Sequence, residues 1–422
     1  MDCLKIKKVM CKVADEDRSC DYCNSEMVHV GWKFVREEIE IVPAEVYRVQ
    51  YYQETVACPN CKEFAPYFKQ APIPSPLIRG SYASHSAVAY IMYQKYYLYI
   101  PLYRQEKDWA EHGVILGRTT MANWIIRLAF ELLKPIFDLM HQRMIERDIL
   151  YADETPCQVL KEDGRTPQQK SYMWVYIAME DDLPTIILYD YEPGRSGDYP
   201  GEFLKGFDGY CHCDGYSGYN KIANLVHIGC FAHCRRYFFE AIPAKKSSKV
   251  KSGAEIGYDY CNSLFIMEKQ MAEAHLTPEQ RKARRLEVEK PILDNFWNWV
   301  EKQNPIGGSR FDKAITYARN QKENLMNFLK DGRCEISNNA AERRVKSYVM
   351  GRKNFLFHDT TKGADASAII YSLIESAKAN GLNVYKYLDT VLLYMPDYKN
   401  EPEGIERMLP WSDFMKETCG EP

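Results

Sequence analysis

The chain lacks what would place it in a membrane, a fibre or a secreted scaffold. Its most apolar stretch, residues 87–102, is broken by Gln94 and Lys95 and is rich in tyrosine. That falls short of the roughly 20 apolar residues a spanning helix needs. The opening MDCLKIKKVMCKVADED holds no apolar run of signal-peptide length. No internal repeat is present. Excess charge is missing too: Lys+Arg 55 against Asp+Glu 58 leaves −3, so any hold on nucleic acid has to come from local patches. With 46% hydrophobic and 27% charged residues, wholesale disorder is excluded. Its 422 residues suggest roughly two to four domains. Cysteine and tyrosine are plentiful instead, at 14 and 31. Without a secretion signal the thiols are expected to be reduced, some holding metal, and the protein to be cytoplasmic. Phenol rings stack on bases, but more often fill half-wet cores.

Two C-x2-C pairs, Cys20/Cys23 and Cys58/Cys61, flank a β-rich segment at 39–56 that breaks at Pro43-Ala44. Each such turn offers two thiolates to one edge of a tetrahedron. The pattern predicts one structural Zn2+ in a closed four-sulfur shell; four unrelated thiols are the plainer reading. Pro66, Pro72, Pro74 and Pro76 then mark a linker. Residues 84–141 read as helical. Gly113 stops one helix, and after Gly117 another starts with Thr119 as N-cap and Met121, Trp124, Ile125 and Leu128 at helical spacing. That is the outline of a helix-turn-helix.

The period changes near residue 149. Strands are expected at 149–153, 172–179, 185–189, 210–214 and 226–230, the last running into a helix at 232–242. This is an α/β arrangement. Residues 243–330, helix-prone with basic runs at 245–251 and 281–285, look inserted. Helices resume at 337 and 366–378, and the tail after Met395 reads as polar and irregular.

Asp153 and Asp214 each end an expected strand, at the sheet edge where α/β proteins bind ligands. Acids on adjacent strands can share divalent cations; singly, each also reads as a turn-forming Asp. Alternation puts Glu154 on the face opposite Asp153, which favours Asp153 as ligand. Glu342 follows Asn339 by three residues, as in a capping box, and precedes Lys346 by four, as in a surface ion pair. Yet Arg343, Arg344, Lys346, Arg352 and Lys353 crowd beside it, an arrangement suited to phosphodiesters. Cys230-x2-His233 has no partner pair at useful spacing, so it reads as packing at a strand-to-helix junction. His212 reads as a structural histidine.

Taken in order, these blocks resemble the transposases of the insertion sequence 66 family, within the DDE superfamily. The resembling segments are IVPAEV at 41–46 with the Cys pairs, PLYRQE at 101–106, GVILGRTTMANW at 113–124 and DET at 153–155. DGYSGY at 214–219, CFAHCRR at 230–236, NNAAER at 338–343, GRKNFLF at 351–357 and YSLIESAKANG at 371–381 continue the series. The resemblance implies a ribonuclease-H-like α/β core interrupted by a helical insertion, with an N-terminal zinc ribbon, a helix-turn-helix and a C-terminal helical module. The expected division is ribbon 1–70, helix-turn-helix 77–145, core 146–242, insertion 243–330, final catalytic helix 331–365, and C-terminal module and tail 366–422. It implies a catalytic triad of Asp153, Asp214 and Glu342 holding two Mg2+ (or Mn2+) ions, with Asp153 bridging them. DNA contacts are expected from Arg118, Thr120, Asn123 and Arg127 in the recognition helix, and from Arg343, Arg344, Lys346, Arg352 and Lys353 near the cut. The implied activity is strand cleavage at transposon ends and 3′-hydroxyl transfer into target DNA. Its partners would be double-stranded DNA, further copies of the chain on DNA, and accessory proteins, with no membrane. A catalytically silent DNA-binding protein or repressor, and a nuclease without strand transfer, stay open beside it.

Overall fold

The computed structural model describes residues 10, 12, 14, 15, 20–34, 45–57, 68–180, 182–222, 224–244 and 250–420. A boundary between Ile73 and Pro74, inside the proline-rich stretch, separates two compact units. In the first, β1 (Thr55–Ala57) pairs antiparallel with β2 (Phe68–Gln70), Thr55 opposite Gln70. Of the β-rich segment 39–56, only Thr55 and Val56 lie in a strand among the described residues.

The second unit opens with helices α1 (His85–Met92), α2 (Leu102–Glu111), α3 (Arg118–Leu128) and α4 (Lys134–Ile145). Gly113, at φ +80°, ends the turn after α2, a backbone state that costs glycine little. Met121, Trp124, Ile125 and Leu128 are buried, as their spacing requires. The start of α3 differs from expectation: Gly117 is the N-cap and Thr119 lies inside the first turn.

Strands β3 (Ile149–Cys157), β4 (Val159–Lys161), β5 (Ser171–Glu180), β6 (Leu183–Glu192), β7 (Gly209–His212) and β8 (Leu225–Ile228) follow. Five of them form one sheet in the order β6-β5-β3-β7-β8. β5 pairs antiparallel with both β3 and β6, whereas β7 runs parallel to β3 and β8 parallel to β7. Val175–Ala178 and Ile186–Tyr189 are all buried, the signature of strands covered on both faces. Two strand ends differ from expectation. β3 continues four residues past Asp153 because β5 pairs with it as far as Cys157 opposite Ser171. β7 stops at His212, so Asp214 sits in the loop beyond it. Parallel pairing of β3 with β7 ends at Tyr151 opposite His212, which leaves Asp153 and Asp214 each two residues past the last pair.

Helices α5 (Asp198–Phe203) and α6 (Phe231–Glu240) lie within this part. Residues 253–326 hold α7 (Gly253–Glu273), α8 (Pro278–Arg284), α9 (Lys290–Glu301) and α10 (Arg310–Met326). Then come α11 (Asn339–Phe355) and β9 (His358–Thr360), the latter paired parallel with β4. The chain closes with α12 (Thr361–Ala379), α13 (Val384–Tyr398), α14 (Pro402–Arg407) and α15 (Asp413–Cys419). The tail is therefore helical, not irregular: Met408, Leu409, Met415 and Cys419 are buried, and Ser412 caps α15.

α12 covers the open side of β6 with side chains. Ser372 Oγ accepts the Tyr189 N–H at 2.7 Å, Ser376 Oγ accepts the Ile187 N–H at 2.9 Å, and Asn380 Nδ2 donates to Thr185 O at 2.8 Å. Four residues of helix rise about 6 Å and two residues of strand about 6.6 Å. A ridge at i, i+4, i+8 therefore keeps step with alternate strand residues and satisfies groups an edge strand leaves open.

Candidate active site

Asp153, Asp214 and Glu342 come from β3, the loop after β7, and the first turn of α11. Burial, then Glu154, Asp214 and Glu342, push the Asp153 carboxyl up to about 8, against one backbone N–H that lowers it. Asp153 thus feels both other acids through space. Their oxygens do not form one tight knot; among the described residues, the ligand atoms gathered within 4.8 Å belong to Cys230, His233 and Glu342.

Asp214 is held at both oxygens. Oδ1 accepts the Tyr216 N–H at 2.8 Å, and Oδ2 lies 3.7 Å from Arg195 Nη2. Arg195 in turn donates from Nε to Glu154 Oε1 at 2.6 Å, while Tyr219 Oη donates to Glu154 Oε2 at 3.0 Å. The Arg195 guanidinium sits over the Tyr216 ring, 4.2 Å from its centre, and Tyr216 Oη donates to the Arg195 carbonyl. A Cβ on Gly197 would meet Gly218 O at 2.2 Å, so the two loops can cross only with glycine there. Glu154, on the face opposite Asp153 as alternation requires, is the anchor of this network. Burial and Asp214 raise its carboxyl, and Arg195 and Tyr219 pull it back. Sequence reading missed Arg195: no spacing rule links a loop residue to a strand residue 41 positions away.

Glu342 does not form a capping box. The N-cap of α11 is Asn338, with no side-chain cap. Asn338 Nδ2 donates to Ala152 O at 2.8 Å, which fastens the helix start beside Asp153, and its N–H donates to Cys230 Sγ at 3.3 Å. Glu342 Oε1 lies 3.6 Å from His233 Nε2, and Oε2 lies 3.9 Å from Arg236. Cys230 and His233, read from sequence as packing, therefore face the third acid. The signal was present, since CFAHCRR places Cys and His one helical turn apart, but their partner lies more than 100 residues away. His212 is fully buried, stacks on Tyr151 at 4.3 Å and is pulled down to about 3 by burial; it is a core residue.

Arg118, Thr120, Asn123 and Arg127 are all exposed along α3, with Arg127 paired to Glu131 at 2.8 Å. On α11, Arg343, Lys346 and Lys353 are exposed at spacings of three and seven, one face of the helix. Arg344 is half-buried and 3.4 Å from Glu375; Arg352 is half-buried beside Pro156 and Gln158. In the first unit, Cys20 O accepts the Asn24 N–H at 2.8 Å and Cys20 N–H donates to Ser25 O at 2.9 Å. This closes a turn around Cys20 and Cys23, and hydrogen bonds from Ser25 hold the Cys23 thiol below its ordinary value. Cys58 and Cys61 lie outside the described residues. The described cysteines carry no disulfide.

Three family descriptions match. "Transposase IS66 family" covers residues 80–366, "zinc-finger binding domain of transposase IS66" covers 17–62, and "IS66 C-terminal element" covers 372–411. Similar curated proteins include the uncharacterized protein y4hP of Sinorhizobium fredii, 26% identical over 94% of this chain and 74% of that one. The uncharacterized protein y4qI of the same organism is 31% identical over 83% of this chain and 66% of its own length.

Proposed function

The chain belongs to the IS66 family of transposases, and from that premise we propose that it cuts DNA at transposon ends and transfers the 3′-hydroxyl into target DNA. The observation that carries this reading is that Asp214 and Glu342 both lie near enough to the buried Asp153 to raise its carboxyl, beside the end of the β3–β7 pairing. The mixed sheet, antiparallel on one side of β3 and parallel on the other, supports a ribonuclease-H-like core. Residues 146–242 and 331–365 would build that core, around a helical insertion at 243–330. Residues 77–145 would form the helix-turn-helix, 1–70 the ribbon and 366–422 the C-terminal module.

Carboxylates suit hard dications. Burial first, and then the neighbouring acids, raise Asp153, and the buried Glu342 Oε1 has no hydrogen-bond donor; a bound dication would offset both costs. Asp153, Asp214 and Glu342 would hold two Mg2+ or Mn2+ ions, which when bound activate the attacking oxygen and stabilise the leaving one. Arg195 keeps Asp214 aimed. Arg343, Lys346 and Lys353 would grip phosphates near the cut, and Arg118, Thr120, Asn123 and Arg127 would face a major groove. Cys20 and Cys23, with Cys58 and Cys61, would hold one structural Zn2+. Assembly of several copies on DNA, and cooperation with accessory proteins, belong to the same reading.

The test is cleavage of a supercoiled plasmid carrying transposon ends with Mg2+ or Mn2+. Glu342→Gln keeps shape and removes charge, so cleavage should vanish. Equal cleavage by both proteins would remove the catalytic assignment. Cleavage without joining of a 3′-hydroxyl end would leave a nuclease.

A further inference from the structure

We infer that Cys230, His233 and Glu342 form a second metal site, for one thiophilic dication of the zinc class, which competes for the third acid of the triad. Only its effect on cleavage rests on the function proposed above. Cys230 is the N-cap of α6 and His233 lies in that helix's first turn, three residues on, so both side chains meet the same corner. Asn338 brings α11 to this corner by donating to Cys230 Sγ. The three ligand atoms all lie within 4.8 Å of one another. Metal bonds of about 2.0–2.3 Å to nitrogen, oxygen and sulfur imply ligand-to-ligand edges of roughly 3.3–3.8 Å in a tetrahedron. The His233–Glu342 separation of 3.6 Å is already inside that range, and the sulfur has at most about 1 Å to close to reach a tetrahedral edge.

A second observation points the same way. Glu342 Oε1, which faces His233 Nε2, is buried and has no hydrogen-bond partner. Unpaired buried polar atoms are costly, and a cation between these groups would relieve the carboxylate. The donor set decides which cation: one sulfur, one imidazole nitrogen and one carboxylate oxygen suit zinc, whereas magnesium takes oxygen alone. Three protein ligands leave one open position. Binding releases the Cys230 thiol proton to solvent, and it draws Glu342 away from the all-oxygen set on the Asp153 side. Zinc is therefore expected to inhibit cleavage, with excess Mg2+ reversing the inhibition.

The experiment measures zinc bound per chain after equilibrium dialysis of the full-length protein, and repeats it with Co2+. The variants are Cys230→Ser and His233→Gln, each with a melting curve to verify folding. Each variant should bind one equivalent fewer than the unmodified chain. The Co2+ difference spectrum against Cys230→Ser should contain a near-ultraviolet sulfur-to-cobalt band. Any metal on the N-terminal cysteines is common to all three proteins and cancels. Equal metal content in all three folded proteins overturns the site. Asp153→Asn separates the two readings, since it should abolish cleavage yet leave the zinc count unchanged. If it leaves cleavage intact while Cys230→Ser still loses its equivalent, the metal site stands and the catalytic reading falls.

Discussion

Arg195 shows how one side chain can set the quality of a site without touching DNA chemistry. Its guanidinium links buried Glu154 to Asp214, and residues that orient metal ligands typically contribute 10–100-fold to metal affinity. Arg195→Gln should therefore raise the Mn2+ concentration for half-maximal cleavage by roughly 10–100-fold, while the rate at saturating metal stays close to that of the unmodified protein. A lower saturated rate with unchanged metal dependence would contradict this role. Glu289 makes a separate residue-scale prediction. It is fully buried, neither carboxylate oxygen has a partner, and burial and Glu268 push it up to about 8, with Arg285 opposing. A carboxyl that binds its proton more tightly when folded supports the fold at low pH and loses that support as pH climbs toward about 8. Glu289→Gln should gain in melting temperature relative to the unmodified protein between pH 5 and 8.5. A pH-independent difference would refute the assignment. Asp153, Asp214 and Glu342 were singled out because each stands in a segment that resembles the family; Glu154's face was legible from alternation, but its partner was not.

Among the elements, strand centres were easier to read than strand ends. Hydrophobic runs located β5 and β6, but β3 outlasts Asp153 because a neighbouring strand pairs with it, and pairing is not written locally. The same holds for α11, whose apparent capping box gave way to a tertiary bond from Asn338 to β3. The exposed cations of α11 carry a further expectation. Lys346→Ala should weaken DNA binding to a similar degree for all sequences and reduce the salt slope by about 1, measured as log affinity against log salt. An unchanged slope would place Lys346 off the DNA. On α12, Ser376→Ala would leave the buried Ile187 N–H without an acceptor, a cost of about 1–3 kcal/mol, readable in denaturant unfolding. A loss well below that would mean that the edge strand finds another acceptor.

For the whole molecule, order along the chain and order in space diverge. No helix among the described residues is long and apolar enough to cross a membrane. The apolar patterning that set the tail aside as irregular was too sparse to reveal α14 and α15; the buried Met408, just past α14, and Met415 in α15 become meaningful only against the rest of the unit. The ladder from α12 to β6 has a kinetic consequence. Ile187 and its Ser376 acceptor are 189 residues apart, and ribosomes add about 5–20 residues per second. The newborn polypeptide therefore waits about 10–40 s with a finished strand that has nothing to shield it, an interval in which chaperone access and spacing between neighbouring ribosomes decide how much of the protein survives its own synthesis.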